Sequence, residues 1–259
     1  MLVLIKTEAW KLKRYHMIWA GVLLMLLSVL LTVFTTTALD GTVWTFSFFA
    51  EQVIKNNFTT IFPMCIALIT GYIINREEAD DTLKSLLTIP VSFPALLFGK
   101  LAVGGLLSLF LGAASTVFTV AGSFLLGFPG GTVTAAAQAA VQIILNCLFL
   151  YIAVLPVIVI AARIPNGHFI GAVVAFVYGY GGMFAAGNMT LANLYPVTAS
   201  IGLVGYRSYD ESVHWNPLLC TLSLLAALLV CAVFVMTTKK SVTARKPKKN
   251  KQVITRKGW

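Results

Sequence analysis

Apolar residues in this chain do not alternate with polar ones. They fill long runs with few charges. A helix crosses the hydrocarbon core of a bilayer with about 20 apolar residues. Six runs are of that order: residues 17–39, 58–74, 96–126, 133–162, 169–186 and 218–236. The third and fourth extend to about 30 residues, so they must tilt strongly, break or continue beyond the bilayer. The pattern predicts an all-α polytopic membrane protein with six transmembrane helices.

Composition agrees. Of 259 residues, 58% are hydrophobic and 11% charged, with a mean hydropathy of +0.87. Soluble domains carry about 25% charged residues, so a soluble enzyme, a secreted disulfide scaffold and a disordered chain are excluded. Cys65, Cys147, Cys220 and Cys231 all fall inside apolar runs. They lack zinc-ligand spacing and read as buried thiols acting as small hydrophobes. The first run follows Lys11, Lys13 and Arg14 but is well beyond the 7–15 residues of a signal-peptide core. A retained first helix is expected.

The net charge of +10 is confined mainly to the chain ends. Lys and Arg number four before the first span, three between the second and third, one between the fourth and fifth and nine after the sixth. Those seventeen share one side, against Lys55 and Arg207 on the other. The positive-inside rule places both termini in the cytoplasm. An anionic leaflet is then the partner for the basic ends, with no role for nucleic acid.

Residues 1–16 form an amphipathic segment, with Leu2, Ile5, Ala9 and Leu12 at helical spacing and Lys6, Lys13 and Arg14 elsewhere on the wheel. Trp10 and Tyr15 are interfacial aromatics. Such a helix lies in the headgroup plane or serves only as a topology anchor. Between the second and third spans, Glu77, Glu78, Asp80 and Asp81 gather four of the nine acidic residues within five positions. Ala79, Leu83, Leu86 and Leu87 then make an apolar stripe that Pro90 ends. A short acidic amphipathic helix suits docking to a basic, grooved partner, whereas a solvated loop is the plainer reading.

Catalytic chemistry finds no support. A membrane protease pairing two Glu with an Arg four residues on needs Arg at position 82, which holds Thr82. His16, His168 and His214 are scattered among different connections, so a metal site is not expected. Gly99-Lys100 is followed by Leu101, and Pro94 stands where a phosphate-binding loop needs its first glycine. Any ATP must be bound by another chain.

Gln138, Gln142 and Asn146 form a polar stripe on the fourth span. It serves either helix–helix hydrogen bonding or a substrate path. Gly171, Gly179, Gly181, Gly182 and Gly187 allow close packing of the fifth. Lys100 and Arg163 sit at span ends, where they can snorkel. On the outside, Trp44, Phe46, Phe48 and Phe49 follow the first span. Residues 192–204 before the sixth are half apolar and suit a re-entrant or interfacial element. The sequons at Asn57 and Asn188 are short enough to be chance.

The opening Glu8, Lys11, Leu12 and Arg14 resemble the E-x-x-K-L-x-R start of ABC-2 type transporter permeases, particularly small bacterial ones linked to lantibiotic self-immunity and bacitracin-type resistance. Glu77/Glu78, Thr82-Leu83-Lys84, Pro90-Val91 and Gly99-Lys100 are similar to that family's first cytoplasmic loop. Asp81 replaces a usual Gly, and Phe93 a common basic residue. The resemblance implies three regions: a connecting helix over 1–16 (Glu8, Trp10, Lys11, Lys13, Arg14), a six-helix permease over 17–238, and a basic tail over 239–259 that is expected to be disordered.

It further implies a coupling helix (Glu77, Glu78, Asp81, Thr82, Leu83, Leu86, Leu87) seated in a separate, dimeric ATPase subunit that binds ATP and Mg. A re-entrant pair is implied before the sixth span. A second permease, identical or homologous, completes the transporter in a bacterial plasma membrane, with export of amphipathic antimicrobial peptides or lipids. This chain itself then carries no cofactor and no catalytic residue. The competing reading is an ATP-independent secondary transporter or channel, which predicts an inverted repeat that the sequence does not show. An integral membrane enzyme would need convergent acid, base or metal groups.

Overall fold

The computed structural model describes residues 2–12, 15–36, 43–79, 93–164 and 166–237. Its helices are α1 (Leu2–Leu12), α2 (Met17–Thr36), α3 (Phe46–Asn56), a π-helical turn (Asn57–Ile61), α4 (Phe62–Ala79), α5 (Phe93–Leu126), α6 (Val133–Ala161), α7 (His168–Ala185), α8 (Met189–Leu194), α9 (Pro196–Leu203) and α10 (Pro217–Thr237). Six stretches are long and apolar enough to cross a membrane, with α3, the π turn and α4 joined in one. The chain is an all-α polytopic membrane protein.

The joined stretch, Phe46–Arg76, forms the centre, packed by α2, α5, α6 and α7, and 78% of the residues in its most apolar 18-residue window are buried. The corresponding share is only 28% in α2 and α7, which lie toward the outside. This second span begins at Phe46 rather than residue 58, which corrects the placement of Phe46, Phe48 and Phe49 in an outer connection, while Trp44 stays just before the helix. Glu51, Lys55, Asn56 and Asn57 interrupt the hydropathy there, yet Phe46, Phe49, Ala50, Val53 and Ile54 share one face and are buried. Period-3.6 spacing, not mean hydropathy, carries that helix. Thr45 caps it by accepting a hydrogen bond from Phe48 N, and Trp44, Phe48, Phe49 and Phe128 form an aromatic cluster over its end.

The π turn leaves backbone carbonyls poorly aligned, and local hydroxyls meet them. Thr59 donates to Lys55 O at 2.9 Å and Thr60 to Asn56 O at 3.0 Å. The amide of Asn57 turns inward, accepting from Ser28 at 2.6 Å and donating to Ser115 at 3.2 Å; Asn56 donates to Thr32 at 2.8 Å. Lipid offers no partners, so these bonds let a polar helix segment lie among α2, α4 and α5.

At about 1.5 Å per residue, the 34 residues of α5 span about 51 Å and the 29 of α6 about 44 Å, both exceeding a ~30 Å hydrocarbon core. Each is one continuous helix, so neither length is absorbed by a break. They pack closely because Gly104 and Gly112 let them approach. A Cβ at Gly112 would fall 2.9 Å from the Ile144 Cα, and one at Gly104 would fall 2.6 Å from the Tyr151 hydroxyl. Gly105, on the same helix, has nothing nearer than 3.6 Å.

Helix propensity favours Ala over Gly by about 1 kcal/mol, while forced overpacking costs about 1–3 kcal/mol. Gly112→Ala is therefore expected to lower the melting temperature of the purified protein, and Gly105→Ala to keep or raise it. Thermal unfolding in one detergent checks the sign of both.

Candidate functional site

α1 contains neither glycine nor proline, and it lies along α5 with Leu4 close to Gly99. Among its described side chains the most buried is an acid. Glu8 is 3% exposed, while Trp10 is 69% exposed and faces away from the bundle. Within the expected apolar stripe, Ile5, Ala9 and Leu12 thus share their face with one polar anchor, the side chain of Leu2 lying outside the described ones. All three are half-buried.

The anchor's partner is Lys100, which is 2% exposed. Glu8 Oε2 lies 3.2 Å from Lys100 Nζ, and Lys100 also donates to Ile73 O at 3.1 Å. The other carboxylate oxygen takes Lys11 Nζ at 2.5 Å. One ammonium therefore joins three helices: its own α5, α4 through a backbone carbonyl, and α1 through a carboxylate. This corrects the expectation that Lys100 snorkels. A hydropathy window sees a lone lysine at the start of an apolar run, but its counter-charge lies 92 positions earlier. The signal that was available is that a charge in such a run calls for a partner.

A second cluster lies beside the first. Arg76, in the last turn of α4, sits 4.5 Å over the Tyr15 ring and 5.9 Å from that of Tyr72; the two rings meet edge-on at 6.3 Å. Tyr72 in turn meets His168 at the start of α7. Asn75 is 4% exposed, and neither of its side-chain polar atoms is bonded among the described residues. Sequence reasoning gave no weight to Asn75 or Tyr72.

These clusters bracket residues 80–92, because α4 enters that segment and α5 leaves it. Glu77 and Glu78 continue α4, which runs to Ala79. Asp81, Thr82, Leu83, Leu86 and Leu87 lie outside the described residues, as do Lys13 and Arg14.

The polar stripe of the fourth span is partly engaged. Asn146, 1% exposed, donates to Ser200 at 3.4 Å, and Gln142 donates to Val204 O at 3.1 Å; Gln138 is exposed. Both acceptors are in or just after α9. Two short helices, α8 and α9, occupy the stretch where the sequence suggests a re-entrant or interfacial element, and α9 is buried from Val197 to Gly202. Asn188 caps α8, accepting from Thr190 N and Leu191 N. The loop beyond is tied to α3 by Tyr209, which donates to Glu51 Oε2 at 2.8 Å. Asp210 is held below the usual carboxylate range by hydrogen bonds from the Ser212 hydroxyl and backbone, then by Arg207. Burial pushes the Tyr206 hydroxyl up to about 12.

Removing one partner of a buried ion pair costs about 3–5 kcal/mol, while replacing both by apolar groups is often neutral. Glu8→Leu alone and Lys100→Met alone are each expected to destabilise by about that much. The double variant should recover most of the loss. A double-mutant cycle by thermal unfolding measures the coupling, and strict additivity would contradict a direct pair.

A family model described as ABC-2 family transporter protein matches residues 4–182, well over half of the chain. The match runs from α1 into α7 and includes Glu8, Ile73, Arg76 and Lys100. No curated protein and no solved structure matches the chain. The described residues contain no group of three or more His, Cys, Asp or Glu placed to hold a metal. With its six apolar spans and the matched segment, this chain belongs to the ABC-2 family of transporter proteins, as a multi-pass membrane permease.

Proposed function

We propose that the chain is the permease subunit of an ATP-driven exporter, with ATP and Mg held by a separate soluble ATPase dimer. The observation that supports this most is the convergence of α1, α4 and α5 on Lys100 at the base of residues 80–92. The acidic-apolar segment Glu77, Glu78, Asp81, Thr82, Leu83, Leu86 and Leu87 is the docking element, and its two roots are the helices that Lys100 joins. A push on that segment acts on α4 and α5 together and carries α1 with them. α1, with Trp10 outward and Lys11, Lys13 and Arg14 along it, rides in the headgroup layer of the cytoplasmic leaflet.

In this reading both termini are cytoplasmic, which the excess of basic residues at the two chain ends supports. A second permease, identical or homologous, completes the path, in the plasma membrane of a bacterium. Gln138 and Gln142, near the opposite end of α6, are assigned to the substrate route, with Asn146 fixing α6 to α9 behind them. An apolar path with few polar groups suits amphipathic antimicrobial peptides or lipid-like compounds, exported for self-immunity or resistance.

Affinity purification of the tagged chain from its native membrane in mild detergent tests the division of labour. A soluble ATPase is expected to co-purify with wild type, and Leu83→Asp to reduce its recovery by about tenfold or more, the scale of a central interface residue. Glu78→Lys is expected to act in the same direction. No ATPase under any mild condition would overturn the proposal.

A further inference from the structure

α5 and α10 both pack against α6 but scarcely touch each other. Between them lies an open groove of about 520 Å³, with Phe98, Leu225 and Leu229 of its lining on the exposed apolar surface of the bundle. Its walls are almost wholly apolar and include Phe98, Gly105, Tyr151, Leu155, Leu228 and Met236. The one hydroxyl, that of Tyr151, is turned away onto Leu101 O at 2.5 Å. Concavity comes from small residues: Ala102 and Gly105 on α5 face Cys231 and Ala232 on α10.

The groove's depth in the bundle follows from its lining. It uses the first turns of α5, the stretch of α6 from its middle toward Ala161 (Leu148–Leu155) and the second half of α10, so it occupies the half of the bundle at the α1 end. Its α10 wall runs from Leu225 to Met236, a rise of about 16 Å at 1.5 Å per residue, close to half of a ~30 Å hydrocarbon core. Water has no polar group there to bind, and an empty slot forfeits dispersion contacts along its whole lining. The medium against which it opens is acyl chain.

Charge selects the headgroup. The groove ends at Met236, and the sequence then carries nine Lys and Arg from 239 to 257. At the end of α10 Arg163 donates to Phe234 O at 2.7 Å and to the Thr237 hydroxyl at 2.8 Å. A second copy of the chain is a poorer fit. Exposed apolar faces run along α2 (Trp19, Leu23, Phe34), α7 (Phe169, Val173, Val177) and α10 (Leu218, Leu222, Leu229), but a stable dimer uses about 20–30 residues a side, more than the fifteen that line this groove.

We propose that this groove holds one acyl chain of an anionic phospholipid from the leaflet at the α1 end of the bundle. A Cβ at Gly105 meets only ordinary contacts, so a large side chain there fills the slot without breaking the α5–α6 packing.

The test is native mass spectrometry of the full chain, released from nanodiscs holding equal parts of phosphatidylglycerol and phosphatidylcholine. One phosphatidylglycerol per chain should be retained after delipidation. Gly105→Phe should cut retention by about tenfold or more, since displacing roughly two methylene groups already forfeits that factor. Val117→Phe, at a position 64% exposed on the same helix, should leave it unchanged. Unchanged retention in a folded Gly105→Phe overturns the site, as does a change in oligomer mass with retention intact, which would assign the groove to a second copy. Equal retention of both lipids overturns the anionic assignment. Should Gly105→Phe fail to fold, phosphatidylglycerol with a diazirine in its acyl chain is applied to wild type. Crosslinks confined to residues 98–105, 148–155 and 225–236 support the proposal, and labelling spread equally over α2 and α7 overturns it.

Discussion

The ammonium of Lys100 sits where three helices meet, with a carboxylate from α1 and a carbonyl from α4 as its partners. A charge so deeply buried cannot be left alone, because desolvation costs several kcal/mol per ion unless geometry returns it. That requirement fixes α1 in place and sets the spacing of α4 and α5 at their shared end. Burial of such a pair is weak evidence for stability, since apolar residues could pack as well. Its value is specificity: the pair permits one register of α1 on α5, and it binds the two helices that border residues 80–92.

The same rule governs the interior. Polar groups at the π turn are satisfied by Ser28, Thr32 and Ser115 from neighbouring helices. Asn193 serves the last turn of the chain's path in the same way, accepting from Asn216 N at 2.9 Å and donating to His214 O at 3.3 Å. Asn56, Asn57 and Asn193 thereby become pins between separate segments of the chain. The glycines of α5 and α7 set the distances between helices, and these bonds set their rotation and register.

Run length alone made the six spans legible, because hydrophobic thickness is a strict requirement on a helix. The second span shows the limit of that signal. Phe46–Asn56 carries Glu51, Lys55 and Asn56, and the pairing of Glu51 with Tyr209 and of Asn56 with Thr32 is invisible to a local window. Glu8 and Lys100 were each visible as motif residues, yet nothing local indicates that they meet across 92 positions. The stripe of Gln142 and Asn146 was legible as polar but not its acceptors, which lie on and beside a short helix more than 50 residues on. Asp81 to Leu87 belong to a segment whose chemistry is read from sequence, while the structure describes the helices on either side of it.

The central claim is that the Glu8–Lys100 pair holds α1 against α5. The Leu4 Cβ lies 3.7 Å from a Cβ built at Gly99, close to the ~3.8 Å of a disulfide, and the four native cysteines are buried. Mild oxidation of a Leu4→Cys/Gly99→Cys protein in native membranes measures that contact directly. The account predicts efficient crosslinking that falls severalfold when Glu8→Ala is added. Equal crosslinking with and without Glu8, or none in a folded protein, would contradict it.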